Sequence, residues 1–149
     1  SWERAMKKWL TGVCGTVLMI LTWTVGWGLG FGGLMELYDP SGRIEDVWPM
    51  VLAIPGFIGG VVFSTLFRTA EAPCGFDEVS LGRVATWGVV TGLTLGVLGI
   101  ALGVGSDAPR SVATMMGVTA GLGTVAAIGS AIFFRLLARQ MPALAERMG

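Results

Sequence analysis

Four long apolar segments without a charged side chain dominate the chain. They cover residues 9–35, 47–67, 84–106 and 111–134. A helix needs about 20 apolar residues to cross a hydrocarbon core of about 30 Å. The pattern therefore predicts an all-α polytopic membrane protein, with four transmembrane helices in a glycine-rich bundle and a single membrane domain over residues 1–149.

Glycine is concentrated in these segments, which hold 20 of the 24 glycines. In lipid, glycine allows helix backbones to approach closely. A helical projection of the third segment places five glycines on one face, namely Gly88, Gly92, Gly96, Gly99 and Gly103. The fourth segment has a similar face of small residues, Ala113, Gly117, Ala120, Thr124, Ala127 and Ala131. We expect these faces, together with Gly121, to form helix-packing or partner interfaces.

The first segment distributes its glycines differently. A helical projection places Gly26, Gly30 and Gly33 on one face and Gly28 and Gly32 on the opposite face. Trp23, Trp27 and Phe31 form a bulky ridge between the two faces. All five glycines are candidate packing positions, and an alternative is that this stretch leaves the helix. The ridge is interpreted as a helix or lipid contact, or alternatively as a site for a bound lipid, quinone or carotenoid. No other cofactor is predicted.

The second segment contains Pro55 and Gly56, followed by Gly59 and Gly60. A proline inside a helix frees a backbone carbonyl and usually kinks the helix. Such a kink can accommodate a neighbouring helix, whereas in transporters a helix broken by Gly or Pro can mark a substrate site. These four residues are therefore a candidate hinge or solute site.

A weak internal similarity relates residues 56–68 to residues 123–135. Both stretches start with Gly and end in Phe-Arg with equal spacing. A duplicated hairpin would produce such a match, although the first and third segments do not align at the same offset.

Charge predicts the orientation of the chain. The formal net charge is zero, which gives no indication of a nucleic-acid partner. Eight of the 10 basic residues lie before the first segment, in the loop between the second and third, or after the fourth. By the positive-inside rule both termini are cytoplasmic, and we expect an integral protein of a bacterial inner membrane. Asp46 and either Asp77 or Ser80 are predicted helix caps, and Pro142 is predicted to end or bend the last helix.

The residue types that usually carry chemistry are missing from the apolar segments. The chain has no histidine, and no Lys, Asp or Glu lies within any of the four segments. Haem ligation, a retinal Schiff base, proton relays and metal sites normally depend on these residues. We therefore predict no catalytic residue, no metal site and no enzyme.

Two functions remain open at the level of sequence. The first is a non-catalytic membrane subunit that assembles through glycine-rich faces, in a larger complex or with copies of itself. The alternative is a small homo-oligomeric channel or carrier for a small, uncharged solute. In both cases the expected partners are membrane lipids and other membrane helices.

Overall fold

The computed structural model describes residues 2–44, 47–71, 79–103 and 111–148, and within these ranges it contains helices and no strand. The α-helices are α1 (Trp2–Val25), α2 (Gly32–Tyr38), α3 (Trp48–Glu71), α4 (Leu81–Ala101) and α5 (Val112–Met148). A π-helical stretch, Gly26–Phe31, joins α1 to α2 without a break and is called the π segment below.

Four helical stretches are long and apolar enough to cross a membrane. They are Gly12–Tyr38, Trp48–Ala70, Leu81–Ala101 and Val112–Leu137. Many large apolar side chains on them are exposed, for example Leu29, Leu34 and Val125, as expected for helices that face lipid. The chain is therefore an all-α integral membrane protein, as the sequence predicts.

The helix ends differ from the predicted ends at two places. The third segment was predicted to continue to residue 106, but α4 ends at Ala101. Gly103 has a φ of 75°, in the left-handed region where glycine is favoured, and its amide donates to the carbonyl of Ile100. At the other end of the chain, α5 continues past Pro142 to Met148, so the helix does not end at this proline.

Serine side chains start the last two long helices. The hydroxyl of Ser80 accepts the amide of Arg83 at 3.3 Å, so Ser80 caps α4. The hydroxyl of Ser111 accepts the amide of Thr114 at 3.1 Å at the start of α5. The other two predicted caps, Asp46 and Asp77, lie outside the described residues.

The chain divides into two compact units, Ser1–Thr65 and Leu66–Gly149. In the first unit, the helix formed by α1, the π segment and α2 packs along α3. Its core contains Met19, Trp23, Trp27 and Phe63, each at most 3% exposed. In the second unit, α4 and α5 pack against each other along their length. The core there contains Val84, Thr91, Ala127 and Ala131.

The helices α3 and α5 bury corresponding positions. Within the similar stretches, α3 buries residues 56, 59, 60, 63, 64 and 67, and α5 buries residues 123, 127, 130 and 131. Each buried residue of α5 follows a buried residue of α3 by 67 positions, whereas the counterparts of 59 and 67, residues 126 and 134, are half-buried. The weak sequence similarity therefore coincides with a partly shared pattern of burial.

Candidate functional site

Glycines of α4 form a close contact with α5. A methyl group built on Gly88 would lie 2.6 Å from the Cβ of Ala127, and one on Gly92 would lie 2.7 Å from the Cα of Ala120. At Gly96 the nearest atoms are the hydroxyl oxygen of Thr119, at 2.6 Å, and the sulfur of Met116. Real Cβ atoms do not approach other atoms this closely, so the separation of α4 and α5 depends on glycine at Gly88 and Gly92, where the neighbouring atoms belong to the backbone or to an alanine. At Gly96 the neighbouring atoms belong to side chains that can move aside.

The helix α5 contributes a different glycine to this contact from the one predicted. Gly123, which was not among the predicted interface residues, lies directly against Gly88 and Gly92. Gly117 and Gly121 face away, and no atom lies within 4 Å of a methyl group built on either. Of the remaining predicted positions, Gly99 is partly exposed and Gly103 lies beyond the end of α4.

A second close contact joins α1 to α3 and involves two glycines of the candidate solute site. A methyl group on Gly56 would lie 2.6 Å from the Cβ of Trp27, and one on Gly60 would lie 2.9 Å from the Cα of Ile20. Gly59 is also buried, and α3 continues as one helix through Pro55. In this structure Gly56 and Gly60 are therefore helix-packing positions, and the helix is not interrupted at the proline.

The π segment explains how Gly28 and Gly32 face α3 together with the two tryptophans. The amide of Gly32 is directed to the carbonyl of Trp27, five residues earlier, so the turn contains one residue more than an α-helical turn. Gly32 consequently follows Trp27 onto the side that packs on α3. A methyl group on Gly32 would lie 2.6 Å from the Cα of Pro49, and one on Gly28 would lie 3.3 Å from the Cβ of Ala53.

The five glycines of the first segment divide into two groups in the structure. Gly28 and Gly32 lie against Pro49 and Ala53 of α3, a partner that residue spacing alone does not identify. The other three glycines, Gly26, Gly30 and Gly33, have no atom within 4 Å of a methyl group built on them.

Two members of the tryptophan ridge belong to the core. Trp23 stacks on Phe63 with ring centroids 5.1 Å apart, and both side chains are at most 1% exposed. Trp27 is 3% exposed, and Phe31 makes an edge-to-face contact with it at 5.2 Å. In this structure Trp23 and Trp27 therefore make helix contacts, which is one of the two interpretations of the ridge.

Most hydroxyl groups in the helices are used within their own helix. Nine side chains donate to the carbonyl four residues earlier: Thr16, Thr22, Thr24, Thr65, Thr86, Thr94, Thr119, Thr124 and Ser130. This bond satisfies a hydroxyl in an apolar medium without a neighbouring helix. The helix surfaces therefore offer few free polar groups.

Four buried polar groups are exceptions to this pattern. Among the described residues, no hydrogen-bond partner is found for the indole nitrogens of Trp23 and Trp27 or for the hydroxyls of Ser64 and Thr91. Each of these side chains is at most 4% exposed. A buried polar group without a partner costs about 1–3 kcal/mol.

Asp39 organises the connection between α2 and α3. Its carboxylate accepts the amides of Arg43 at 3.0 Å and Ile44 at 2.9 Å, and the indole nitrogen of Trp48 donates to it at 3.4 Å. The residue is 8% exposed although it lies in a loop. An Asp that precedes a Pro-Ser-Gly turn is the sequence signal that could have identified it.

Arg135 connects α5 to the residue that precedes the cap of α4. Its Nη2 donates to the carbonyl of Val79, which lies 56 positions earlier in the sequence. Val79 is 4% exposed, and the next residue, Ser80, is the helix cap. The position of this arginine after the last apolar segment predicts orientation, but it does not predict this contact.

One face of α4 forms an open groove of about 500 Å³, lined by Val90, Leu93, Thr94, Val97, Leu98 and Ala101. Its one hydroxyl, on Thr94, donates to the carbonyl of Val90. The lining is thus apolar, which is typical of a surface that contacts lipid chains.

The described residues therefore combine close helix packing with open small-residue faces, and among them no group of three or more His, Cys, Asp or Glu side chains is placed to hold a metal ion. Comparison with known proteins adds no identity to this geometry: no protein-family model matches the chain, and no curated protein or solved structure shows significant similarity to it.

Proposed function

We propose that this chain is a non-catalytic integral membrane subunit that assembles with copies of itself, or with other membrane subunits, through glycine-rich helix faces. The observation that carries the proposal is the set of glycines left open after the close contacts within each unit have formed. On α5 these are Gly117, Gly121 and Gly129, and on the first membrane-crossing stretch they are Gly15, Gly26, Gly30 and Gly33; Gly82 and Gly103, at the two ends of α4, are open as well. The proposal rests on the two sets with helical spacing, Gly117 with Gly121 and Gly26 with Gly30 and Gly33.

The open face of α5 supports the proposal most directly. Gly117 and Gly121 are spaced by four residues, and Ala113 precedes them by four more. All three are exposed, and the nearby side chains of Val118 and Val125 are 54% and 59% exposed. A Gly-xxx-Gly pair on a lipid-facing surface lets a second helix approach until the backbones are in van der Waals contact.

The contacts within one chain do not explain why residues 117 and 121 are glycine. Glycine is about 1 kcal/mol less favourable than alanine inside a helix. At Gly88 or Gly92 the close approach of α5 offsets this cost. At Gly117 and Gly121 no atom of the chain lies close enough to offset the cost of glycine. A helix of another polypeptide packed on this face would offset it.

The same reasoning extends to the first membrane-crossing stretch, where Gly26, Gly30 and Gly33 form a second open face. Two such faces on one chain would permit contacts with two neighbouring subunits. We place both termini in the cytoplasm of a bacterial cell, because eight of the 10 basic residues flank the helices on that side.

Purification in mild detergent tests the proposal when the mass of the protein complex is measured by light scattering. The native chain should elute as an oligomer or with a stoichiometric partner, and a double substitution, Gly117→Leu with Gly121→Leu, should convert it to a single chain. Gly82→Leu is the matched control, because Gly82 is an exposed helical glycine with open space outside both faces. A native protein that is already a single chain in mild detergent, or an oligomer that the double variant leaves intact, would overturn the proposed role of this face.

The proposed orientation has its own test in a background without Cys14 and Cys74. A membrane-impermeant thiol reagent should label Ser41→Cys in intact cells, whereas Gln140→Cys should be labelled only after the membrane is opened. The reverse labelling pattern would overturn the orientation and leave the assembly proposal standing.

A further inference from the structure

The end of the first unit that carries the α2–α3 loop is held together by several independent contacts. This loop end comprises residues 32–44 and 47–53. The carboxylate of Asp39 binds the loop amides and the indole of Trp48. Gly32 lies against Pro49, where even a methyl group would come within 2.6 Å of the proline Cα. These contacts join α2, the loop and the first turn of α3 into one stiff body.

The other part of the first unit is equally well packed. This stem comprises residues 12–25 and 57–65. Trp23 stacks on Phe63, Gly60 contacts Ile20, and Met19 is 1% exposed. The stem and the loop end are thus two packed bodies of the same hairpin, joined by two helical connections.

Both helical connections have weakened backbone hydrogen bonding, and the two weak points lie at the same height along the hairpin. In one of them, the π segment replaces regular α-helical hydrogen bonds by a wider turn, and glycine occupies three of its six positions. In the other, Pro55 lacks the amide that would bond to the carbonyl of Val51. The two weak points face each other, since Gly56 lies directly against Trp27. Proline and π turns are the usual sites at which helices bend.

An unpartnered polar group lies between these weak points. The indole nitrogen of Trp27 is buried and has no hydrogen-bond partner in the described part of the chain. A second position of the hairpin in which this group reaches an acceptor would recover the lost hydrogen bond.

We infer that the first hairpin is hinged, and that the loop end moves as a body relative to the stem about the π segment on one side and Pro55–Gly56 on the other. A few residues that absorb a change in backbone angles are sufficient for such a motion. Glycine lowers the steric barrier at one connection, and proline removes a hydrogen bond that would resist bending at the other. This motion is independent of the assembly proposed above.

Distances between spin labels test the hinge in the purified full chain, after Cys14 and Cys74 are replaced by serine. Labelled chains are diluted with an excess of unlabelled chains, so that only distances within one chain are measured in an assembled protein. Labels at Val17→Cys and Leu37→Cys report across the hinge, since these positions are 50% and 80% exposed in the stem and the loop end. Labels at Leu37→Cys and Met50→Cys report within the loop end. The native chain should show a broad or two-component distribution for the first pair and a single narrow component for the second.

Two independent sets of substitutions should stiffen the hinge. Gly26→Ala with Gly30→Ala adds methyl groups where no atom lies within 4 Å, and Pro55→Ala restores a helix amide. Each should remove the broad component across the hinge and leave the loop-end distance unchanged, which also shows that the variant is folded. Gly33→Ala, in open space outside the hinge, should retain the broad component. Equal widths for both pairs in the native chain, or a broad component that survives both stiffening sets, would overturn the inference.

Discussion

Gly88 and Ala127 lie so close together that a methyl group on the glycine would come within 2.6 Å of the alanine Cβ. Because the neighbouring contacts of Gly92 are with backbone atoms, α5 cannot relieve an added methyl group by rotating a side chain. The α4–α5 contact is therefore a backbone-to-backbone contact whose geometry depends on individual glycines.

This contact predicts opposite effects for two alanine substitutions. Gly92→Ala should lower the free energy of unfolding in detergent by about 1–3 kcal/mol, because α4 and α5 must separate to admit the methyl group. Gly82→Ala, in open space on α4 outside both proposed assembly faces, should be neutral or stabilising by up to about 1 kcal/mol through helix propensity. Similar stabilities for the two variants would contradict the close contact.

Asp39 should stabilise the first hairpin through its carboxylate. Asp39→Ala removes the acceptor of two loop amides and of the Trp48 indole, and hydrogen bonds to a charged group contribute about 1.5–3 kcal/mol each. We expect a clear loss of thermal stability in micelles, a smaller loss for Asp39→Asn, and no measurable change for Ser41→Ala in the exposed part of the same loop. An alanine variant as stable as the native chain would show that these bonds form equally well with water.

The hydroxyl of Thr91 should make no favourable contribution. It is fully buried, and no partner for it lies in the described ranges. Thr91→Val keeps the shape of the side chain and removes the unsatisfied group, so the free energy of unfolding should stay constant or rise by about 1 kcal/mol. Thr94→Val is the comparison, since it removes a hydroxyl that donates to Val90 at 2.8 Å. Destabilisation by Thr91→Val would indicate that its hydroxyl has a partner in the membrane.

Arg135 should hold the beginning of α4 against α5. Arg135→Ala removes the donor to the Val79 carbonyl, and hydrogen bonds to charged groups contribute about 1.5–3 kcal/mol. We expect lower stability and faster amide exchange over the first turn of α4, measured by hydrogen–deuterium exchange. Arg139→Ala, at an exposed position one turn later, should change neither quantity.

Hydropathy and residue spacing predicted the four membrane-crossing helices and the glycine face of α4. In lipid, a charge-free apolar stretch is stable as a helix, because the helix satisfies its own backbone hydrogen bonds. A helical projection of such a stretch then places Gly88, Gly92 and Gly96 on one side. The same projection groups Gly28 with Gly32, but it identifies neither the π turn from Trp27 to Gly32 nor the contact of these glycines with Pro49 and Ala53. Residue spacing within one segment carries no information about packing against another helix.

The sequence also could not predict which glycine of α5 contacts α4. Gly117, Gly121 and Gly123 are each compatible with a smooth face, and only the contact with Gly88 and Gly92 selects Gly123. Asp39 shows a similar limit. Its pattern predicts a turn, but its bond to Trp48 depends on how the loop returns to α3.

The π segment also has a consequence for comparing this chain with its relatives. Before the segment, buried residues follow one another at intervals of four, at Met19, Trp23 and Trp27, whereas Trp27 and Gly28 are both buried before the next buried position, Gly32. The amide of Gly32 reaches back five residues to the carbonyl of Trp27, so this turn holds an extra residue. A homologue with a regular helix here would need one residue fewer to keep the same surface against its neighbour. Alignments should therefore place a single-residue gap within Gly26–Phe31, and methods that forbid gaps inside membrane helices would shift all of α2 out of register.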